Sequence, residues 1–214
     1  MPRIFARCLL ALLAAANLAH AADGGVDETQ QWRFKVLLDG KPIGHHYFTL
    51  AEKNGRRDLT SEARFNVKLL FVTVYRYVHD SKEIFQGDCL ERIDARTNDN
   101  GTDLAVKGSL ESKGFVLASQ ATEHPACIMT FAYWNPNMLQ QTRLLNSQNG
   151  KYEPVTIKKV ASETLTVRGN ATQAEHYFLA GDKLKIDLWY SPANEWLALR
   201  STTEDGRQLQ YQLE

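Results

Sequence analysis

Trp32, Phe34, Val36 and Leu38 alternate with Arg33, Lys35 and Leu37, the period of two that a half-buried strand requires. Asp39-Gly40-Lys41-Pro42 marks a turn, and Ile43 to Leu50 returns as a second strand. Asn54-Gly55 signals the next hairpin, because both central positions of its turn need positive φ. From there Leu59, Ser61, Ala63, Phe65 and Val67 fall on one face, and Thr60, Glu62, Arg64, Asn66 and Lys68 on the other. The opening third is therefore an antiparallel meander.

Leu69 to Val78 breaks the alternation. Leu70, Val72 and Val74 fall on one face while Phe71, Tyr75 and Tyr77 fall on the other. A strand apolar on both faces is either central in a two-layer core or lines an apolar groove. Ile84 to Arg96 continues in extended form, Asn98 to Gly101 turns, and Leu104 to Leu110 and Phe115 to Thr122 follow around Lys113-Gly114. Cys127 to Tyr133 reads as a buried strand. It ends at Asn135-Pro136, a good N-cap followed by a proline whose missing N–H is no loss in the first helical turn. Met138, Leu139, Thr142 and Leu145 then give a helical stripe, so a short helix is expected from about Pro136 to Leu145. Beyond Asn149-Gly150 come Val155 to Val160, Thr164 to Gly169, His176 to Leu179, Leu184 to Tyr190, Trp196 to Thr203 and Gln208 to Leu213.

A dozen short strands and one short helix predict an all-β, mainly antiparallel fold: a curved sheet, barrel or half-barrel with the helix near 136–145 covering one end. A β-sandwich is the alternative.

The first residues change the picture of where the chain works. Arg3 and Arg7 precede an apolar run from Cys8 to Leu18 that is too short to span a bilayer, and Ala19-His20-Ala21 fits a cleavage site. Residues 1–21 are expected to be a signal peptide, and 22–214 a single β-rich domain, exported to the periplasm or secreted and soluble. No transmembrane segment is expected. Without Arg3 and Arg7 the chain keeps 23 basic and 25 acidic groups, a formal charge of −2. So balanced a chain has no field to attract nucleic acid.

Two cysteines remain, Cys89 and Cys127, and in an oxidising compartment they most simply pair. The alternative is two free thiols acting as ligands or nucleophiles. His45 and His46 are adjacent and point to opposite faces of a strand, so a metal would need His79, His124 or His176 brought in by folding. No metal and no cofactor is expected. His124 near Cys127 is a poor thiolate–imidazole pair, since Pro125 and strand geometry separate them. There is no Gly-x-Ser-x-Gly elbow and no phosphate-binding glycine loop, and no catalytic residue is assigned. Asp94 and Asp187 sit in strand-like runs as candidates for burial.

Aromatics are more suggestive. Trp32, Phe71, Tyr75, Phe131, Tyr133, Trp134 and Trp189 fall in strands or at strand ends, a payload suited to a thick core or to the lining of an apolar pocket. The candidate ligand-binding set is Phe71, Tyr75, Tyr133, Trp134, Met138, Arg143 and Trp189, with Arg143 as a polar orienting group.

Leu38-Asp-Gly-Lys-Pro-Ile-Gly-His-His46, Phe65-Asn-Val-Lys68, the run from Cys127 to Pro136, Leu144 to Tyr152 and Asp205 to Tyr211 resemble an uncharacterised family of exported proteobacterial proteins. That resemblance implies export and one β-rich domain, and supplies no catalytic residues. The architecture is also similar in plan to periplasmic lipoprotein carriers, which concerns fold and not function. The expected function is a non-enzymatic exported binding protein for an apolar or amphipathic ligand such as a lipid, the helix acting as lid. The alternatives are an interaction protein with a self-filled barrel that binds an envelope protein partner, and last a hydrolase or isomerase.

Overall fold

A computed structural model describes residues 28–69, 72–120, 122–203 and 205–214, without the side chain of residue 69. The leader and Phe71 lie outside the described residues. The first meander comprises β1 (Glu28–Leu38), β2 (Lys41–Lys53), β3 (Arg56–Leu69), β4 (Val72–Gln86), β5 (Cys89–Asp99), β6 (Thr102–Leu110), β7 (Phe115–Leu117) and β8 (Glu123–His124). An insert follows, with a 3-10 helix (Pro136–Gln140) and the short pair β9 (Arg143–Leu145) and β10 (Tyr152–Pro154). The second meander is β11 (Thr156–Val167), β12 (Asn170–Ala180), β13 (Lys185–Tyr190), β14 (Trp196–Thr202) and β15 (Gln208–Leu213).

Every connection within a meander joins antiparallel neighbours. One long-range pairing, β15 on β1 with Phe34 opposite Leu213 and Leu38 opposite Leu209, joins the meanders into a single sheet of 13 strands. Its order runs β11-β12-β13-β14-β15-β1-β2-β3-β4-β5-β6-β7-β8, with β11 and β8 at opposite edges. The sheet is curved and does not close.

The predicted turns are where their residues require them. Asp39-Gly40, Asn54-Gly55 and Asn100-Gly101 have positive φ at both positions, the twist that a tight hairpin needs, and so does Arg168-Gly169, which the pattern places at the end of a strand. Gly44 serves close approach instead: a Cβ there would stand 1.8 Å from the carbonyl oxygen of Arg64 on β3.

Three local expectations differ from the structure. Gly87 (φ 56) turns the chain between β4 and β5, so Ile84 to Arg96 is two strands rather than one. Conversely, the two strands expected between Val155 and Gly169 are one long strand, β11 (Thr156–Val167), with an irregularity between Lys159 and Ala161 that leaves Val160 exposed. The third difference is the largest. The stretch from Cys127 to Tyr133 buries Ile128 to Thr130 and Ala132 but leaves Cys127 exposed, and it is not a strand: Ala132 N–H bonds Thr130 O (2.7 Å), Tyr133 N–H bonds Phe131 O (3.0 Å) and Asn135 N–H bonds Ala132 O (2.8 Å). These local bonds coil the backbone, so that Ile128, Met129 and Thr130 are buried in succession.

The helix is also shorter than its stripe suggests. Asn135 caps it as expected, accepting from Asn137 N–H at 3.0 Å, but it ends at Gln140. Gln141 is extended, and Arg143–Leu145 pairs with Tyr152–Pro154 instead of continuing the helix.

The insert fills the sheet. Leu90 N–H bonds Ile128 O, Leu145 N–H bonds Met129 O, and the Tyr190 hydroxyl donates to Tyr133 O at 2.8 Å, tying the insert to both meanders. Its Ile128, Met129, Ala132, Trp134, Met138 and Leu144 belong to the same core as Trp32, Phe34, Phe85, Leu90 and Trp196. Cys89 and Cys127 pair, fixing the insert to the start of β5.

Candidate functional site

One end of the curved sheet is left open by this arrangement. There the β1–β2 turn, the far end of the β3–β4 hairpin and the β14–β15 turn surround a groove of about 650 Å³. Its apolar side is Leu38, Pro42, Ile43, Val67 and Val74, and Lys41, Lys68 and Arg207 bring three cations to it. Beneath lies a small apolar cluster, separate from the main core, of Val36, Ala63, Phe65 and Tyr77 with Ile43, Tyr75, Leu209 and Tyr211 against it. Phe65 and Tyr77 stack at 5.2 Å, and Tyr211 meets the edge of Phe65 at 6.4 Å.

Charge at this end is organised rather than scattered. Arg207 Nε donates to Asp39 Oδ2 at 2.7 Å, and Gln208 N–H donates to Asp39 Oδ1 at 2.9 Å. The backbone N–H of Gln208, and then the Arg207 guanidinium, hold the exposed Asp39 carboxyl below its usual range. Lys68 has no ion-pair partner among the described residues.

Deeper in the sheet, the inward row becomes polar. β4 presents Tyr77, His79, Ser81, Glu83 and Phe85 to the interior at a period of two. His46 on β2 bonds the Ser61 hydroxyl through Nε2 (2.7 Å) and the Tyr211 hydroxyl through Nδ1 (3.1 Å). His79 Nδ1 bonds Thr97 Oγ1 at 2.8 Å. Ser81 and Thr130 hydroxyls donate to the two oxygens of Glu83 at 2.9 and 2.8 Å.

Burial dominates the electrostatics of this row. It lowers His46 well below its usual value, with His79 and Arg64 adding to the effect, and brings His79 down to about 4. It raises Glu83, against the two hydroxyl bonds that favour its charged form. A hydroxyl can donate or accept, so hydroxyl partners on both nitrogens suit a neutral His46 ring in either tautomer. The Ser61–His46 contact has the length of a nucleophile–base pair, yet Ser61 is only 5% exposed and the second partner of His46 is a phenol rather than a carboxylate. The row fits an internal hydrogen-bond network.

Of the residues expected to bind ligand, the groove gathers few. Tyr75 lies in the cluster under it, its hydroxyl donating to Asp99 at 2.8 Å; burial and that bond raise its pKa. Phe71 lies outside the described residues. Tyr133 packs against Trp196 at 5.3 Å within the molecule. Trp134 is 6% exposed, edge-on to Phe85 at 5.4 Å and under the Arg57 guanidinium at 5.6 Å. Met138 is fully buried. Arg143 sits on the insert over the Tyr152 ring at 4.9 Å and donates to Tyr152 O. Trp189 belongs to the second meander, stacked on His176 at 4.7 Å and donating to Glu163. His176 in turn bonds Asp187 at 2.7 Å, and Arg200 donates twice to the same carboxylate. Asp94 is at the surface, 3.5 Å from Lys107. No group of three or more His, Cys, Asp or Glu side chains suited to a metal ion occurs among the described residues.

The sequence reasoning missed His46, Ser61, Ser81, Glu83 and Tyr211 as a group. The available signal was the spacing of Tyr77, His79, Ser81, Glu83 and Phe85, one face of one strand at every second position.

A family described as a domain of unknown function, DUF6134, matches residues 34–214. The chain belongs to this family. The DUF6134 match contains both meanders from the middle of β1 onward, the insert and every groove residue, which agrees with the resemblance to an uncharacterised family. No curated protein matches the chain. Among solved structures, the DUF6134 chain is similar to the crystal structure of a β-barrel-like protein of another domain of unknown function, DUF1849, from Brucella abortus. The two are 8% identical, with a TM-score of 0.64 over 86% of this chain and 94% of that one. At that identity the likeness concerns the fold alone.

Proposed function

We propose that the protein is an exported, non-enzymatic binding protein that holds an amphipathic anion, such as a lipid, in the open-end groove. The observation that carries this reading is the composition of the groove: an apolar wall of Ile43, Val67 and Val74 facing Lys41, Lys68 and Arg207. Its volume, about 650 Å³, falls in the usual range for small-molecule sites. An acyl or aryl body would lie on the apolar wall, with its carboxylate or phosphate directed to the lysines. The leader-like residues 1–21 and the Cys89–Cys127 pair support work in the periplasm or outside the cell.

Titration with a fluorescent fatty-acid anion tests this. Wild type should take it up, and Lys41→Glu with Ile43→Ser should weaken uptake about tenfold or more by reversing one charge and removing one apolar contact. Equal uptake by the pair and the wild type would remove the groove from the account.

A second reading has its own observation. The insert occupies the sheet with Trp134, Met138, Leu144 and Leu145, so the main interior is filled by the chain itself. That favours an interaction protein whose partner is another envelope protein, and it predicts no uptake by the wild type.

A further inference from the structure

The β3–β4 hairpin outruns its neighbours. β2 follows β3 only as far as Gly44 opposite Phe65, and β5 follows β4 only as far as Asp99 opposite Tyr77. Asn100 of the β5–β6 turn still holds both backbone groups of Arg76, and beyond it the two strands pair with each other alone, through Val67 with Tyr75 and Lys68 with Thr73. The four residues from Tyr75 to Val72 carry the hairpin roughly 13 Å past the neighbouring strands. A projection with two unpaired edges is where a soluble protein ordinarily places charge or proline. Here Val72 is 66% exposed and Val74 is 50% exposed, in open water at the far end.

Cations stand behind those valines. Arg76 follows them along β4, beyond the irregularity at Val74, Lys68 lies across the hairpin opposite Thr73, and Lys41 and Arg207 are on the adjoining groove wall. The nearby acids are engaged: Asp39 by Arg207 and the Gln208 N–H, and Asp99 by the Tyr75 hydroxyl. Apolar side chains leading and basic side chains trailing is the order in which a bilayer presents acyl boundary and anionic headgroup.

We propose that the β3–β4 hairpin docks the protein on an anionic bilayer surface, Val72 and Val74 entering the acyl boundary and Lys68, Arg76, Lys41 and Arg207 meeting headgroup phosphates. Two valines are too little for insertion, so the contact is shallow, reversible and sensitive to salt. It places the groove at the membrane surface, next to the source of an amphipathic ligand. The inference stands on the hairpin and not on the groove reading.

Co-sedimentation of the mature protein with phosphatidylglycerol–phosphatidylethanolamine vesicles, against phosphatidylcholine vesicles, tests it at low and high salt. The protein should bind the anionic vesicles at low salt, and Arg76→Glu should weaken that binding about fivefold or more. Val72→Asp should weaken it at either salt concentration. In Val72→Trp the new indole should shift its emission to shorter wavelength on anionic vesicles and be quenched by brominated acyl chains. Absence of vesicle binding, or binding that is equal in wild type, Arg76→Glu and Val72→Asp, would overturn the proposal. Neither position lines the groove, so retained uptake of the monomeric fatty-acid anion in the same variants separates a failure of docking from a failure of ligand binding.

Discussion

Glu83, His46 and His79 show how one strand face can be inward and polar at once. Glu83 and His79 are buried, His46 is half-buried, and each bonds to a hydroxyl, so no unpaired charge is needed inside. Their pKa shifts set opposite pH dependences. An unfolded histidine takes up its proton near pH 6.5, while the folded rings resist it, His79 until about pH 4. The unfolded state therefore binds more protons as pH falls, and stability is lost from about pH 6.5 downward. Glu83 works the other way. Its unfolded carboxyl ionises near 4.5 and its folded one higher, so its contribution is lost as pH rises above 4.5. Urea unfolding should give a midpoint that declines between pH 6.5 and 4. Glu83→Gln should be more stable than wild type at pH 7, with that advantage shrinking toward pH 4. An advantage that is constant with pH would mean that Glu83 ionises inside as it does in water. This row escaped the sequence reading because His, Ser and Glu at alternate positions look like a solvent face. Only the fold shows that Tyr77 and Phe85 at its ends mark the interior side.

At the scale of elements, the turns were the most legible part. Asn-Gly and Asp-Gly pairs carry their backbone geometry in their own chemistry, and they fall where expected. The insert was half legible. Its burial followed from the apolar run, and its start from Asn135-Pro136. Its path did not, because Arg143–Leu145 chose a strand partner a few residues ahead, Tyr152–Pro154, over another helical turn, a competition that local pattern cannot decide. Two anchors hold its entry. The Cys89–Cys127 bond closes a separation of 38 residues, and Asp88 accepts from Asn135 and Asn137 at 2.9 and 2.8 Å while pairing with Arg57. The chain-entropy model gives such a cross-link about 4 kcal/mol. The native protein should therefore show no alkylatable thiol until reduced, and Cys89→Ser with Cys127→Ser should lower the unfolding free energy by up to about 4 kcal/mol. Two free thiols at Cys89 and Cys127 in the native protein would contradict the pairing.

At the scale of the molecule, the period of two gave the class but not the closure. Whether such a sheet closes depends on long-range pairings, and here a single one, β15 on β1, unites the two meanders. No local signal at Phe34 or Leu213 announces it. The expected pocket was likewise displaced. The aromatic residues near the helix fill the interior, and the unfilled space lies instead at the end bounded by Ile43, Val67 and Val74 with three cations. Of the expected binding residues that are described, Tyr75 alone borders it, because burial can be read from an apolar run while position around a curved sheet cannot.

The central claim is that this open end holds an amphipathic anion. Native mass spectrometry of the protein purified from its native host, followed by organic extraction and lipid analysis, tests it most directly. A stoichiometric co-purifying lipid that is lost in Lys41→Glu with Ile43→Ser is the predicted result. A clean apo mass for the wild type, with no uptake from a lipid extract, would contradict it and leave the self-filled interaction protein in its place.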